Sequence, residues 1–250
     1  MRRKLRDFDV ADDTQLIQEQ IVYYRERAPE YDDWFFRRGR YNGGADHTRY
    51  WFDEIEEVRS ALTAARPVGH VLELACGTGL WTEQLAPQAT QLTAIDSSPE
   101  VIELNRQRVA SPRVAYQIAD LFTWEPDARY DFVFFGFWLS HVPMSRFIPF
   151  WSTIGRCLAP GGRVFFVDSR YHPASTALYH SSNNAPETRS RRRLQDGREF
   201  EIVKIFYKPD DLAVRLTSLG WRQRIRGTAN FFVYGTADLN DGDVVPRTGR

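Results

Sequence analysis

The chain has 250 residues, with 33 basic and 33 acidic side chains, 42% hydrophobic and 14% aromatic content. That length suits one large domain with a small appendage and is ample for a buried core, and the composition is that of a folded chain rather than a disordered one. No apolar run reaches the ~18 residues of a bilayer span, Met1 to Asp13 lack the apolar stretch of a secretory signal, the balanced charge argues against a nucleic-acid grip, and Cys76 and Cys157 have neither disulfide nor zinc spacing. The expectation is a cytoplasmic globular enzyme that needs no membrane.

In chain order, a polar tail comes first. Thr14 is placed to cap a helix running to about Ala28, where Pro29 stops it. Leu16, Ile17, Gln20, Ile21 and Tyr24 keep helical spacing along it. Glu30 to Arg38 predicts a short helix crowded with Tyr31, Trp34, Phe35 and Phe36. A glycine-rich loop follows at Gly39, Gly43 and Gly44. Asp46 is placed to cap a long helix to about Ala65, with Trp51, Ile55, Val58 and Leu62 on one face. From residue 70 short apolar runs alternate with helical patterns. The strands expected are Val71–Ala75, Gln91–Ile95, Arg113–Ile118, Tyr130–Phe137 and Arg163–Asp168. The helices expected are Leu80–Ala86, Pro99–Ala110 and Met144–Leu158, with Pro149 a possible kink. This rhythm predicts βαβ units around a parallel sheet covered on both faces. The stretch 169–199 breaks the rhythm and has the composition of an insertion or lid. Beyond it, Glu199–Tyr207 predicts a strand, Pro209–Leu219 a helix, and Trp221–Tyr234 a long strand or an antiparallel hairpin. The organisation expected is a tail and helical cap over 1–66, a main domain over 67–237 carrying the insertion, and a disordered tail over 238–250.

The sharpest feature is Val71-Leu72-Glu73-Leu74-Ala75-Cys76-Gly77-Thr78-Gly79-Leu80-Trp81-Thr82. A buried strand enters a Gly-x-Gly turn and then a helix. Such glycines let the backbone turn tightly and approach a ligand, and the helix start offers free N–H groups. Further on, Asp96 closes the next strand, where a carboxylate can accept hydrogen bonds from both hydroxyls of a ribose. Together these define a nucleoside-cofactor site. The residues alone leave two cofactors open. A dinucleotide site also wants a glycine turn and a distant acid, but Thr82 stands where its third glycine belongs. Glu73 would repel a pyrophosphate and suits a cofactor with an ammonium group, such as S-adenosylmethionine (SAM).

Glu73 to Gly79 resembles motif I of the class I SAM-dependent methyltransferases, of the small-molecule type. Ala94-Ile95-Asp96-Ser97-Ser98-Pro99-Glu100 resembles the family's ribose-binding segment, and Ala119-Asp120-Leu121 the segment that meets the adenine amino group. Tyr130 to Phe135 is similar to the fourth strand, and Leu158 to Val164 to the turn before the fifth. One departure is Ala75, where many members have glycine. The resemblance implies an α/β fold: a doubly wound, mostly parallel seven-stranded sheet with an N-terminal helical cap. It implies SAM as methyl donor, with Glu73, Ala75, Gly77, Gly79, Trp81, Asp96, Ser97, Asp120, Leu121 and Phe135 at the cofactor. Tyr24, Tyr31 and Arg38 of the cap are candidates to reach it. Asp96 is also placed to cap the helix at Pro99, and Asp120 the turn that follows it.

On the acceptor side, His141 follows the fourth strand at the carboxyl edge of the sheet. A histidine is a general base for a hydroxyl, or a structural residue fixing this loop. Asp168, His172 and His141 are conceivable ligands of a divalent metal, a site not favoured because the spacing matches no signature. Tyr171, His172, Tyr179, His180, Arg189 and Arg191 to Arg193 make the insertion a candidate lid, with arginines for a carboxylate or phosphate. The expected activity is O-methylation of a small molecule, a sugar or specialised metabolite. N- or C-methylation, a nucleic-acid acceptor and a non-catalytic cofactor binder are the alternatives. Oligomeric state is not set by these residues.

Overall fold

The structure, a computed structural model, describes residues 10–172 and 188–239. Most of the two expected tails, and Tyr179 and His180 of the insertion, lie outside the described residues. The elements in chain order begin with three helices, α1 (Val10–Glu26), α2 (Tyr31–Phe35) and α3 (Ala45–Ala64). Then come β1 (His70–Leu74), α4 (Thr82–Leu85), β2 (Gln91–Asp96), α5 (Pro99–Val109), β3 (Val114–Ile118), β4 (Tyr130–Gly136), α6 (Met144–Cys157) and β5 (Leu158–Ser169). The chain closes with β6 (Arg189–Arg193), β7 (Glu199–Val203), α7 (Pro209–Ser218), β8 (Arg222–Gly227) and β9 (Phe232–Asp238).

Seven strands form one sheet in the order β3-β2-β1-β4-β5-β9-β8. β1 to β5 pair in parallel, and β9 runs antiparallel between β5 and β8. The strand order reverses between β1 and β4, the position where open α/β sheets bind ligands at their carboxyl ends. The continuous apolar runs of the strands have a physical reason: both faces are covered. Along β4, Val133 and Phe135 pack with Trp151 of α6, while Phe132 and Phe134 pack with Trp51 and Leu62 of α3. Each such phenylalanine contributes roughly 1.5–3 kcal/mol by leaving water.

Several boundaries differ from the expectations. α1 begins before Thr14, so Thr14 lies inside it. Gly44 rather than Asp46 precedes α3. α6 runs on through Pro149 to Cys157. β5 starts at Leu158, which pairs with Tyr130 before a register shift restores pairing at Phe132 and Arg163. The apolar run 199–207 is strand only to Val203, and with β6 it forms a separate antiparallel hairpin. That hairpin packs on α1, where Tyr23 meets Leu194, Phe200 and Ile202. Among the described residues no helix is long and apolar enough to cross a membrane.

Candidate active site

The glycine turn is built as its spacing demands. Gly77 (φ +52°) and Gly79 (φ +94°) hold left-handed backbone, which side chains disfavour. A Cβ on Gly79 would meet Asn105 Oδ1 at 2.7 Å. The same Asn105 amide donates to the Gly77 carbonyl at 3.1 Å and to Thr82 Oγ1 at 2.8 Å, tying the loop to α5. A Cβ on Gly77 would find only Tyr31 Cε1, at 4.0 Å. There the backbone faces open space.

That space is a cleft of about 700 Å3, open to solvent on one side, at the carboxyl ends of β1, β2 and β4. It brings together Tyr24, Tyr31, Ala75, Gly77, Asp96, Ser97, Asp120, Leu121 and His141 of the residues singled out in the sequence. Asp96 accepts from the N–H groups of Gly77 and Ser98, both at 3.0 Å. Burial raises its pKa against those backbone donors. The α5 cap is Ser98, whose Oγ accepts from Val101 N–H at 3.3 Å, so Asp96 is left at the cavity wall. Asp120 accepts from Phe122 N–H at 2.9 Å; it shapes its turn and lines the cavity as well.

Five singled-out residues stand elsewhere. Glu73 lies one pleat behind the end of β1, 1% exposed. Burial pushes its carboxyl up to about 8, against a bond from the Thr82 hydroxyl. Its Oε2 has no partner among the described residues. Phe135 faces the opposite core layer, stacked on Phe166 with centroids 5.7 Å apart. Gly79 packs against Asn105. Trp81 lines a small adjoining cavity of about 290 Å3 behind Tyr31 and Gly77. Arg38 lies over the Phe36 ring at 4.7 Å.

A second cavity, of about 680 Å3, adjoins the first. Tyr24, Tyr31, Phe137 and His141 line both. Beyond this seam the wall is Arg27, Trp34, Tyr41, Trp51, Ser169, Arg192, Lys204, Phe206 and Phe231. His141 Nδ1 lies 2.7 Å from the Val203 carbonyl. A carbonyl only accepts, so Nδ1 carries the hydrogen, and Nε2 accepts from Tyr24 Oη at 2.8 Å. Burial first, and Lys204 next, hold His141 well below the usual histidine range, opposed by the Val203 bond. Gln20, 1% exposed, braces this corner by donating to the His141 carbonyl and accepting from Val203 N–H, both at 3.1 Å.

Lys204 Nζ donates to Ser140 Oγ at 2.8 Å and lies 3.7 Å from Asp168 Oδ1. Burial lowers it to about 8, against the pull of Asp168. Asp168 also accepts from Ser140 N–H at 2.8 Å, and His172 stands edge-on to Phe231. Those commitments disperse the conceivable metal ligands, and among the described residues no group of three ligating side chains forms. Gln20, Arg27, Lys204 and Phe206 were not singled out as site residues. The signal available was a polar residue in an apolar stripe: Gln20 along α1, and Lys204 within Ile202-Val203-Lys204-Ile205-Phe206.

A parallel sheet with a glycine turn after β1 and an acid closing β2 defines an enzyme that holds a nucleoside cofactor. The chain belongs to the class I SAM-dependent methyltransferases. A family profile described as a methyltransferase domain matches residues 71–162. The DhpI–SAH complex aligns at 39% identity with a TM-score of 0.75, over 90% of this chain and 97% of that one. The DhpI–SAM–HEP complex aligns at 40% identity and the same TM-score, over 89% and 97%. The ubiquinone biosynthesis O-methyltransferase of Xanthomonas campestris pv. campestris is 34% identical over 135 residues, 50% of this chain and 54% of that protein. Nodulation protein S of Rhizobium tropici is 30% identical over 111 residues, 43% and 46% of the two chains. The match thus spans about half the length of these curated relatives.

SAM is the methyl donor, and the open face of Gly77 beside the Asp96 carboxylate fits it. When bound, it supplies a methyl group already activated on a sulfonium. The chain's own part is to hold, align and exclude water.

Proposed function

We propose that this chain methylates an oxygen atom of a small molecule. The observation that carries the reading is the wall of the second cavity. It presents Arg27, Arg192 and Lys204 and no carboxylate among its lining residues. An amine acceptor arrives as an ammonium and is repelled there, whereas an oxygen nucleophile meets favourable charge. The name of the Xanthomonas relative, an O-methyltransferase, agrees.

A hydroxyl acceptor must lose its proton. Tyr24 lines both cavities and donates to His141 Nε2. The route proposed runs from the acceptor oxygen to Tyr24 Oη while Tyr24 passes its own proton to Nε2, so His141 is the terminal base. The test is transfer from 13C-methyl SAM to a panel of hydroxyl, amine and carbon acceptors, with the product carbon identified by NMR. The expected product carries an O-methyl signal. An N-methyl or C-methyl product overturns the reading. With the acceptor so identified, His141→Gln is expected to lower kcat by about 100-fold with SAH affinity retained. Unchanged turnover removes His141 from the mechanism.

A further inference from the structure

Buried cations outnumber their counter-charges in the second cavity. Arg27 is 7% exposed and Lys204 9%. Lys204 has Asp168 at 3.7 Å. Arg27 has no carboxylate partner among the described residues. Its guanidinium stands 5.1 to 6.0 Å from the ring centres of Tyr23, Tyr24, Tyr31 and Tyr41. One nitrogen donates to Tyr41 Oη at 3.3 Å, while Nε is buried with no partner among the described residues. Arg192 donates to Ser190 Oγ at 2.7 Å and turns toward the same space. Such unmatched buried charge costs several kcal/mol unless something neutralises it. Each cation comes from a different segment: the end of α1, β6, and the chain after β7. All three line this cavity.

We infer that Arg27, Arg192 and Lys204 form an oxyanion subsite, so that the acceptor is a small acid bearing a carboxylate, phosphate or phosphonate group. The inference rests on the O-methylation reading and adds the acceptor's charge to it. Tyr31 and Tyr41 supply neutral donors around the anion, and the flanking Trp34, Trp51, Phe206 and Phe231 pack its apolar remainder. The groups facing His141 here are Lys204, Arg192, Arg27 and Tyr24, with Asp168 behind Lys204. Burial is the first cause that holds His141 low, and the three cations add to it; a bound anion offsets the cations' share, so the base strengthens when the acceptor is seated.

The experiment is calorimetric titration of the chain, saturated with SAH, by inorganic phosphate, acetate and tetramethylammonium at matched ionic strength. Phosphate and acetate are expected to bind and tetramethylammonium is not; their relative affinity separates a tetrahedral from a planar oxyanion. Arg192→Gln and Lys204→Met are expected to weaken phosphate by about tenfold or more, and Arg192→Lys and Lys204→Arg to keep most of the affinity. SAH binding, which uses the other cavity, serves as the check of folding and is expected to hold in all four. Should Lys204→Met lose SAH binding, Arg192→Gln, on the half-buried hairpin, carries the comparison. Heat that is absent from the wild type with both phosphate and acetate, or anion heat that is unaltered in Arg192→Gln, overturns the subsite. Either result leaves O-methylation standing, because that reading fails only on the identity of the methylated atom.

Discussion

Ala75 and Phe137 have φ of +52° and +57°, left-handed backbone at non-glycine residues, and both line the cofactor cavity. Each such residue carries roughly 1–2 kcal/mol of strain. At Ala75 the strain falls where many members of the family have glycine, so the departure in sequence is felt as a local cost rather than a changed path. Phe137 is held there by its N–H, which donates to the Val167 carbonyl at 2.7 Å. Glu73, just upstream, stores a different cost. Burial raises its carboxyl from an ordinary 4.5 to about 8. Between those values the folded chain keeps a proton that the unfolded chain has released, so stability falls as pH rises through that window. Glu73→Gln removes the titrating group and keeps the contact with Thr82. The variant's melting temperature is expected to fall less than the wild type's between pH 5 and about 8. Parallel melting curves for the two proteins would show that Glu73 is already ionised in the fold.

At the scale of elements, the helical cap is fastened to the cofactor loop by side chains. Asp32 of α2 accepts from Thr78 Oγ1 of the glycine turn at 2.6 Å and from Arg108 of α5. Arg108 also donates to the Thr78 carbonyl at 2.7 Å. A second tie joins Arg25 of α1 to Glu100 of α5 at 2.8 Å; being exposed, it contributes little. The Asp32 contact is half-buried and shared by three elements, so it decides how firmly the cap sits over Gly77. Asp32→Asn keeps an acceptor for Thr78 and loses the charge-assisted bond to Arg108. Its expected effect is SAH dissociation faster by roughly tenfold in stopped-flow fluorescence. A lowered melting temperature with unaltered dissociation would reduce the contact to ordinary packing.

Across the whole molecule, the two cavities differ in how far the sequence discloses them. The cofactor half is written locally. Its glycine turn, Asp96 and Asp120 stand at strand ends in chain order, where periodicity and turn chemistry point to them. The acceptor half is assembled from Arg27, Arg192 and Lys204, which no local pattern joins. Only the packing of α1 on the β6–β7 hairpin brings them together. Arg38 illustrates the converse, since proximity in sequence to Tyr31 did not carry its side chain to the cavity. Glu73 and Phe135 lie inside recognisable motifs, yet both are buried one residue short of their strand ends, on opposite faces of the sheet and outside the cavity wall. Cap residues were likewise hidden by neighbours of similar chemistry, as with Ser98 in place of Asp96.

That division of labour has a thermodynamic consequence. If the local half alone binds the cofactor, its contribution to stability depends on Asp96 and not on the cations next door. A ligand present at 100 times its Kd stabilises the fold by about 2.7 kcal/mol, which for a chain of this size raises the melting temperature by roughly 5–11 °C. SAH is expected to give that shift with the wild type and with Arg192→Gln and Lys204→Met alike. Asp96→Asn, which gives up the charge of the carboxylate at the end of β2, is expected to lose most of the shift, and its own melting temperature is read without SAH as the control. Scanning calorimetry with and without SAH makes the comparison. A full shift in Asp96→Asn would mean that the cofactor is held by the backbone turn alone, and a shift lost in Lys204→Met whose melting temperature without SAH matches the wild type's would mean that the two halves are one site.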